Sequence, residues 1–215
     1  LKVKPDEIQT VHLGVEDIFF EKRNEKETKR ILSKYNINKK YLLFVGTIEP
    51  RKNIATLISA FAKLPREDLD LVICGKLGWM YDEIFSLIKK EGISEQVKLL
   101  GFVPDEDLPS LYANSEVFVY PSFYEGFGLP VIEAMASGCP VITSNLSSTK
   151  EIAGESAMLI DPNDQEELIQ AIKNLLANDK MRQNLIKKGR LRAKEFTTLA
   201  TAEKTLRAYQ SMYEA

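Results

Sequence analysis

Apolar runs that alternate with helix-period segments along the chain predict an α/β fold, a parallel sheet with helices on both faces. Two further observations support it. The connections between runs are short, as right-handed crossovers between parallel strands require. The segments 46–52, 75–80, 101–104 and 121–129 all follow strand-like runs, at the carboxyl edge where open α/β sheets bind ligands.

In chain order, an opening strand is expected over 8–11, then a turn at Gly14 and a charged helix over 25–35. Strands follow over 41–45, 69–74, 97–100, 117–120, 141–143 and 157–160. Helices fill 54–63, 81–90, 107–112, 131–137 and 165–177, and two more close the chain over 180–195 and 199–213. Asn53 is placed as the N-cap of the helix behind it. No repeat or low-complexity stretch interrupts the series.

The bulk composition narrows the function. The chain has 215 residues, 44% of them hydrophobic and 28% charged, enough for an independent core. Its net charge of -2 argues against a nucleic-acid partner, which calls for a basic excess. No run approaches the length needed to span a bilayer, and no signal peptide is evident. Cys74 and Cys139 sit in buried-looking settings and read as packed, reduced thiols of a cytoplasmic protein. His12 stands alone and no metal-ligand spacing appears, so no metal site is expected. Asp68-Leu-Asp70 matches a short metal-binding pattern, but it falls at the opposite edge of the sheet and reads as a solvated turn. The first residue is Leu1, which suggests an excised fragment or a processed start.

The most specific stretch is Tyr120-Pro-Ser-Phe-Tyr-Glu-Gly-Phe-Gly-Leu-Pro-Val-Ile-Glu133. It joins a strand to a helix through a loop in which Gly126 and Gly128 allow close approach of a ligand. Pro130 suits a first helical position, so the N–H groups around Phe127, Gly128 and Leu129 face an anion at a helix N-terminus. Glu125 and Glu133 can accept hydrogen bonds from neutral hydroxyls beside it. Phosphate donors next to hydroxyl acceptors describe a pocket for a nucleotide joined to a sugar. Arg51 and Lys52 stand before another positive helix end, where an anion held between them would relieve the like-charge conflict.

Glu125-Gly-Phe-Gly-Leu-Pro-x-x-Glu133 resembles the Glu-x7-Glu signature of retaining glycosyltransferases of the GT-B class, the glycosyl transferases group 1 family. Phe44-Val-Gly-Thr-Ile-Glu-Pro-Arg-Lys-Asn53, Gly75-Lys-Leu-Gly-Trp79, Leu100-Gly-Phe-Val-Pro104, Glu133-Ala-Met-Ala-Ser-Gly-Cys-Pro-Val141 and Thr143-Ser-Asn-x-Ser-Ser148 are similar to it in the same order. The likeness runs from about Val11 to Tyr209 and is strongest to a mannosyltransferase-like branch.

The resemblance implies one half of a GT-B fold. Residues 1–40 would join a missing N-terminal, acceptor-binding domain. Residues 41–195 would form the Rossmann-like nucleotide-sugar-binding domain, and 196–215 a helix that in relatives crosses to the other domain. It implies a hexose donor such as GDP-mannose or UDP-glucose, with no cofactor and no metal. Lys52 would bind the diphosphate with Arg51, since Thr47 stands where many relatives carry an arginine. Phe102 and Val103 would read the base with their backbone, and Glu133 would accept from the ribose. Glu125 would face the transferred sugar, with the loop 126–129 around it. Lys150 replaces a proline usual before Glu151, which alters the adjoining loop. The full-length protein is expected to be cytoplasmic or membrane-peripheral. Two other readings stay open, a non-catalytic nucleotide-sugar-binding or scaffolding module that retains the fold, and a related sugar-nucleotide epimerase.

Overall fold

The structure, a computed structural model, describes residues 4, 8–65, 67–79 and 81–213. The first helix, α1 (Glu25–Lys34), is capped by Asn24, whose side chain accepts from the Glu27 N–H. Then come β1 (Lys40–Val45), α2 (Ile54–Ala62), β2 (Leu69–Cys74), α3 (Asp82–Lys90), β3 (Val97–Gly101), α4 (Leu108–Asn114) and β4 (Val117–Tyr120). The second half holds α5 (Leu129–Ala136), β5 (Val141–Ser144), α6 (Ser147–Ala153), β6 (Met158–Ile160), α7 (Gln165–Ala177), α8 (Asp179–Ala193) and α9 (Thr198–Tyr213).

The six strands among the described residues run parallel in the order β3-β2-β1-β4-β5-β6. Leu42, Leu43 and Phe44 of β1 and Val117, Phe118 and Val119 of β4 are fully buried. Continuous burial, rather than alternation, is what a strand covered on both faces requires. The helices sort into two packed sets: α2 touches α3 and α7, whereas α4 and α5 pack with α1, α6 and α8. Chain order reverses between β1 and β4, which are neighbours in the sheet, so the loops leaving them diverge into a crevice.

Three local expectations need correction. The span 8–11 forms no strand. Its backbone has no sheet neighbour, and the pairing occurs later, where Val15 bridges Thr197 and its N–H donates to the Phe196 carbonyl. Helix α6 arises where only a loop motif was read. Thr149 Oγ1 donates to the carbonyls of Ser144 and Leu146, tying the helix start to β5. Asp70 lies inside β2, buried and 3.6 Å from Lys98 Nζ, rather than in a solvated turn.

Cys74 and Cys139 are buried, and burial pushes both thiols up to about 12, which suits packing rather than redox chemistry. Helix α9 leaves Leu199, Leu206, Tyr209 and Met212 exposed. Among the described residues, no helix is long and apolar enough to cross a membrane.

Candidate active site

The loop after β1 and the loop after β4 meet at the switch point. Pro50–Lys52 forms a single 3-10 turn, and Asn53 behind it takes a left-handed conformation, φ 56°. Asn53 stands at the N-cap position of α2, but its side chain caps no backbone N–H. Instead its Nδ2 donates to the carbonyls of Pro121 and Pro162, and its Oδ1 accepts from Thr56. The expected cap is therefore a clamp that pins the first loop to the second.

That clamp sets Lys52 in place. It is only 8% exposed, and Nζ donates to Glu125 Oε1 at 2.8 Å and to the Tyr120 hydroxyl at 2.7 Å. Arg51 Nη1 donates to Glu125 Oε2 at 2.8 Å and to the Tyr124 carbonyl, while Nη2 pairs with Glu49. Both carboxylate oxygens of Glu125 are thus held by cations. Burial works to raise its pKa, but the bonds from Lys52 and Arg51 outweigh that and leave it below the usual carboxylate range. The like-charge conflict at 51–52 is relieved from within the chain. An ammonium has three N–H groups; two of those on Lys52 are engaged, and the third has no hydrogen-bond partner among the described residues.

Glu125 is also fixed through its backbone, where its N–H donates to Ser147 Oγ and its carbonyl accepts from Ser148 Oγ. Gly128 begins α5 with φ 103°, a conformation that favours glycine. Helix α5 starts at Leu129, so Pro130 is the second helical residue rather than the first, and Glu133 lies beyond the first turn.

At the carboxyl edge of the sheet opens a crevice of about 410 Å³, lined in part by Thr47, Phe102, Val103, Leu129 and Glu133. Phe102 is 64% exposed, with Lys76 Nζ over its ring at 5.2 Å. Glu133 accepts from the Tyr112 hydroxyl at 2.9 Å. Burial, reinforced by the nearby Asp105 and Glu16 charges and only partly opposed by Tyr112, pushes its pKa up to about 7.

All the predicted residues but Gly128, which lines neither cavity, fall into three groups. Arg51, Lys52 and Glu125 form the ion cluster, and the five just named line the crevice. Gly126 and Phe127 border a second cavity with His12 and Glu151. Trp79 is 58% exposed and lines neither of these cavities. Sequence reasoning gave no role to Tyr112 or Tyr120. Their hydroxyls meet Glu133 and Lys52 across 21 and 68 residues, a distance no local pattern spans.

The Glu133 shift has a measurable sign. Between its ordinary 4.5 and about 7 the folded state binds the extra proton, so stability falls as pH rises through that window. The expected loss is about 3 kcal/mol. Glu133→Gln should flatten this slope and raise the melting midpoint at pH 8 above that of the unmodified chain, as thermal scans across pH would show.

A six-stranded parallel sheet flanked by helices, with a buried acid–cation pairing where the chain order reverses, defines a doubly wound α/β fold. Residues 25–192 match the family described as glycosyl transferases group 1, and the chain belongs to that family. It is 40% identical over 192 residues to O-antigen chain mannosyltransferase B of Escherichia coli, covering 87% of this chain and 50% of that protein. It is 33% identical over 213 residues to the MMP alpha-(1->4)-mannosyltransferase of Mycolicibacterium hassiacum, covering 97% of this chain and 49% of that protein.

Among solved structures, sucrose-phosphate synthase from Thermosynechococcus elongatus superposes with a TM-score of 0.82 at 28% identity. It covers 94% of this chain and 52% of that one. The C-terminal domain of the glycosyl transferase group 1 family protein LpcC from Francisella tularensis superposes with a TM-score of 0.73 at 26% identity. Here the coverage is 84% of this chain and 97% of that one. The chain spans about half the length of the curated relatives it matches.

Proposed function

We propose that this chain is the donor-binding half of a retaining, metal-independent glycosyltransferase. It would hold a nucleotide-diphosphate sugar for transfer of a hexose to an acceptor hydroxyl. The observation that carries this reading is Glu125, gripped by both Lys52 and Arg51 in the loop that leads into α5, whose Leu129, Pro130 and Glu133 line the crevice.

In this reading the diphosphate lies against Lys52 and Arg51, the ribose hydroxyls donate to Glu133, and the base rests by Phe102 and Val103. As the sugar–phosphate bond breaks, negative charge grows on the phosphate oxygens. Preorganised cations in a site of low dielectric stabilise such charge strongly, so Lys52 and Arg51 take the part a metal ion plays elsewhere. Glu125, held ionised by its partners, favours positive charge at the anomeric carbon. Mannose is the favoured hexose, because mannosyltransferases stand among the relatives at 40% and 33% identity; glucose is the second choice. The acceptor would be held chiefly by an N-terminal domain.

Calorimetry with GDP, UDP and ADP tests the donor role. One of these diphosphates should bind with a saturable heat, and a flat trace with all three would contradict the reading. Robust sugar transfer by the 215-residue chain alone would overturn the half-enzyme assignment.

A further inference from the structure

The second cavity, about 420 Å³ in volume, shares no lining residue with the crevice that holds Glu133. It is walled by the segment 10–13, by the loop at Gly126 and Phe127, and by the start and middle of α6. Its polar lining comes from Thr10, His12, Ser148 and Glu151, and Phe127 contributes a half-buried aromatic ring. Among the described lining residues there is no Lys or Arg, and the Glu151 carboxylate repels an anion, so the cavity does not suit phosphate.

What it suits is a neutral ligand rich in hydroxyls. Such groups can donate to a carboxylate and exchange hydrogen bonds with Ser and Thr, while the C–H face of a sugar ring packs on an aromatic side chain. His12 Nε2 lies 2.9 Å from Glu151 Oε1. A carboxylate only accepts, so the proton of a neutral imidazole sits on Nε2 and Nδ1 becomes an acceptor. The ring is steadied edge-on against Phe196, centroids 5.4 Å apart, and tilted against Phe127 at 5.9 Å.

The cavity also adjoins the reaction point. Gly126 and Phe127 directly follow Glu125, and Ser148, which lines the cavity, donates to the Glu125 carbonyl at 2.8 Å. We infer that this cavity is a saccharide subsite that seats a neutral sugar of the acceptor, with His12 and Glu151 as its hydroxyl-binding pair. The inference rests on the glycosyltransferase reading above and gives the donor half a share in acceptor recognition.

His12 is the only histidine in the chain, so its imidazole Cε1–H signal reports on the cavity without ambiguity. The test follows that signal by NMR as methyl α-mannoside, then a mannose disaccharide, is added to the chain. Both sugars should move it saturably. Glu151→Gln should weaken the response about tenfold, the loss of one charge-assisted hydrogen bond, while the calorimetric heat of a nucleoside diphosphate stays unchanged. The Glu151 side chain is 64% exposed, so the fold is not at stake in this variant. A signal unmoved by both sugars, or equal sugar affinity in Glu151→Gln, would overturn the subsite. Absence of nucleotide heat with the sugar response intact would instead overturn the donor reading.

Discussion

Replacing Lys52 with methionine is expected to abolish the calorimetric heat of nucleoside diphosphate binding while leaving the fold intact. The lysine ammonium is positioned by Tyr120 and Glu125 with one N–H to spare, so nothing has to reorganise when a phosphate arrives. Losing one partner of a buried, charge-assisted contact costs about 2–3 kcal/mol, or about 100-fold in affinity. Methionine fills the volume of the lysine stem, and Glu125 keeps Arg51 as a partner at 2.8 Å. The carboxylate is therefore not left alone in the interior, which would be the more destabilising outcome. A Lys52→Met chain that bound the diphosphate as tightly as the unmodified chain would remove Lys52 from the phosphate site.

The second large effect concerns Gly75, at the carboxyl end of β2. A Cβ built there would lie 1.9 Å from the Gly46 carbonyl oxygen, and φ is +145°. The obstructing atom is backbone, so no rotamer change can make room. Both sides of the contact are held, since the Gly46 N–H donates to the Cys74 carbonyl at 2.8 Å and the Gly75 N–H to the Gly101 carbonyl at 2.7 Å. Gly75→Ala must then push apart the loops after β1 and β2 that line the crevice. We expect a loss of about 3 kcal/mol or more, about 6–12 °C in melting midpoint. Gly92→Ala is the control. Its φ of +65° is also left-handed, but nothing lies within 4 Å of the added carbon, so only about 1 kcal/mol of backbone strain is expected. Equal midpoints for the two variants would show that the close approach at Gly75 does not hold the crevice together.

These effects also mark how far the sequence could be read. Strands β2 and β4 fall where the apolar runs place them and helix α7 where the helical spacing does, each closed off by polar or turn residues. The opening strand over 8–11 failed because Val15 pairs with a segment about 180 residues away, and strand chemistry alone carries no information about partners. Helix α6 was hidden by its Ser-Ser-Thr start. These residues favour caps and turns in isolation, and tertiary hydrogen bonds to β5 and to Glu125 reverse that preference.

The same division holds at the candidate site. Arg51 and Lys52 stood out in the sequence as adjacent cations before a helix start, and Glu125 and Glu133 as paired acids around a glycine loop. Their pairing was not legible. The sequence suggested two cations waiting for an external anion, whereas Glu125 already sits between them. Asn53 was read as a cap because its type and place fit one, yet its amide bonds two distant loops.

The central claim is that one crevice at the β1–β4 switch point holds a diphosphate-linked sugar donor. A crystal structure of the chain soaked with the diphosphate that gives the calorimetric heat tests it most directly. The expected result places a phosphate oxygen within hydrogen-bond distance of Lys52 Nζ and a ribose hydroxyl on Glu133. A nucleotide bound with its phosphates away from Lys52 and Arg51, or seated in the apolar cavity between Ile48 and Leu87, would contradict it.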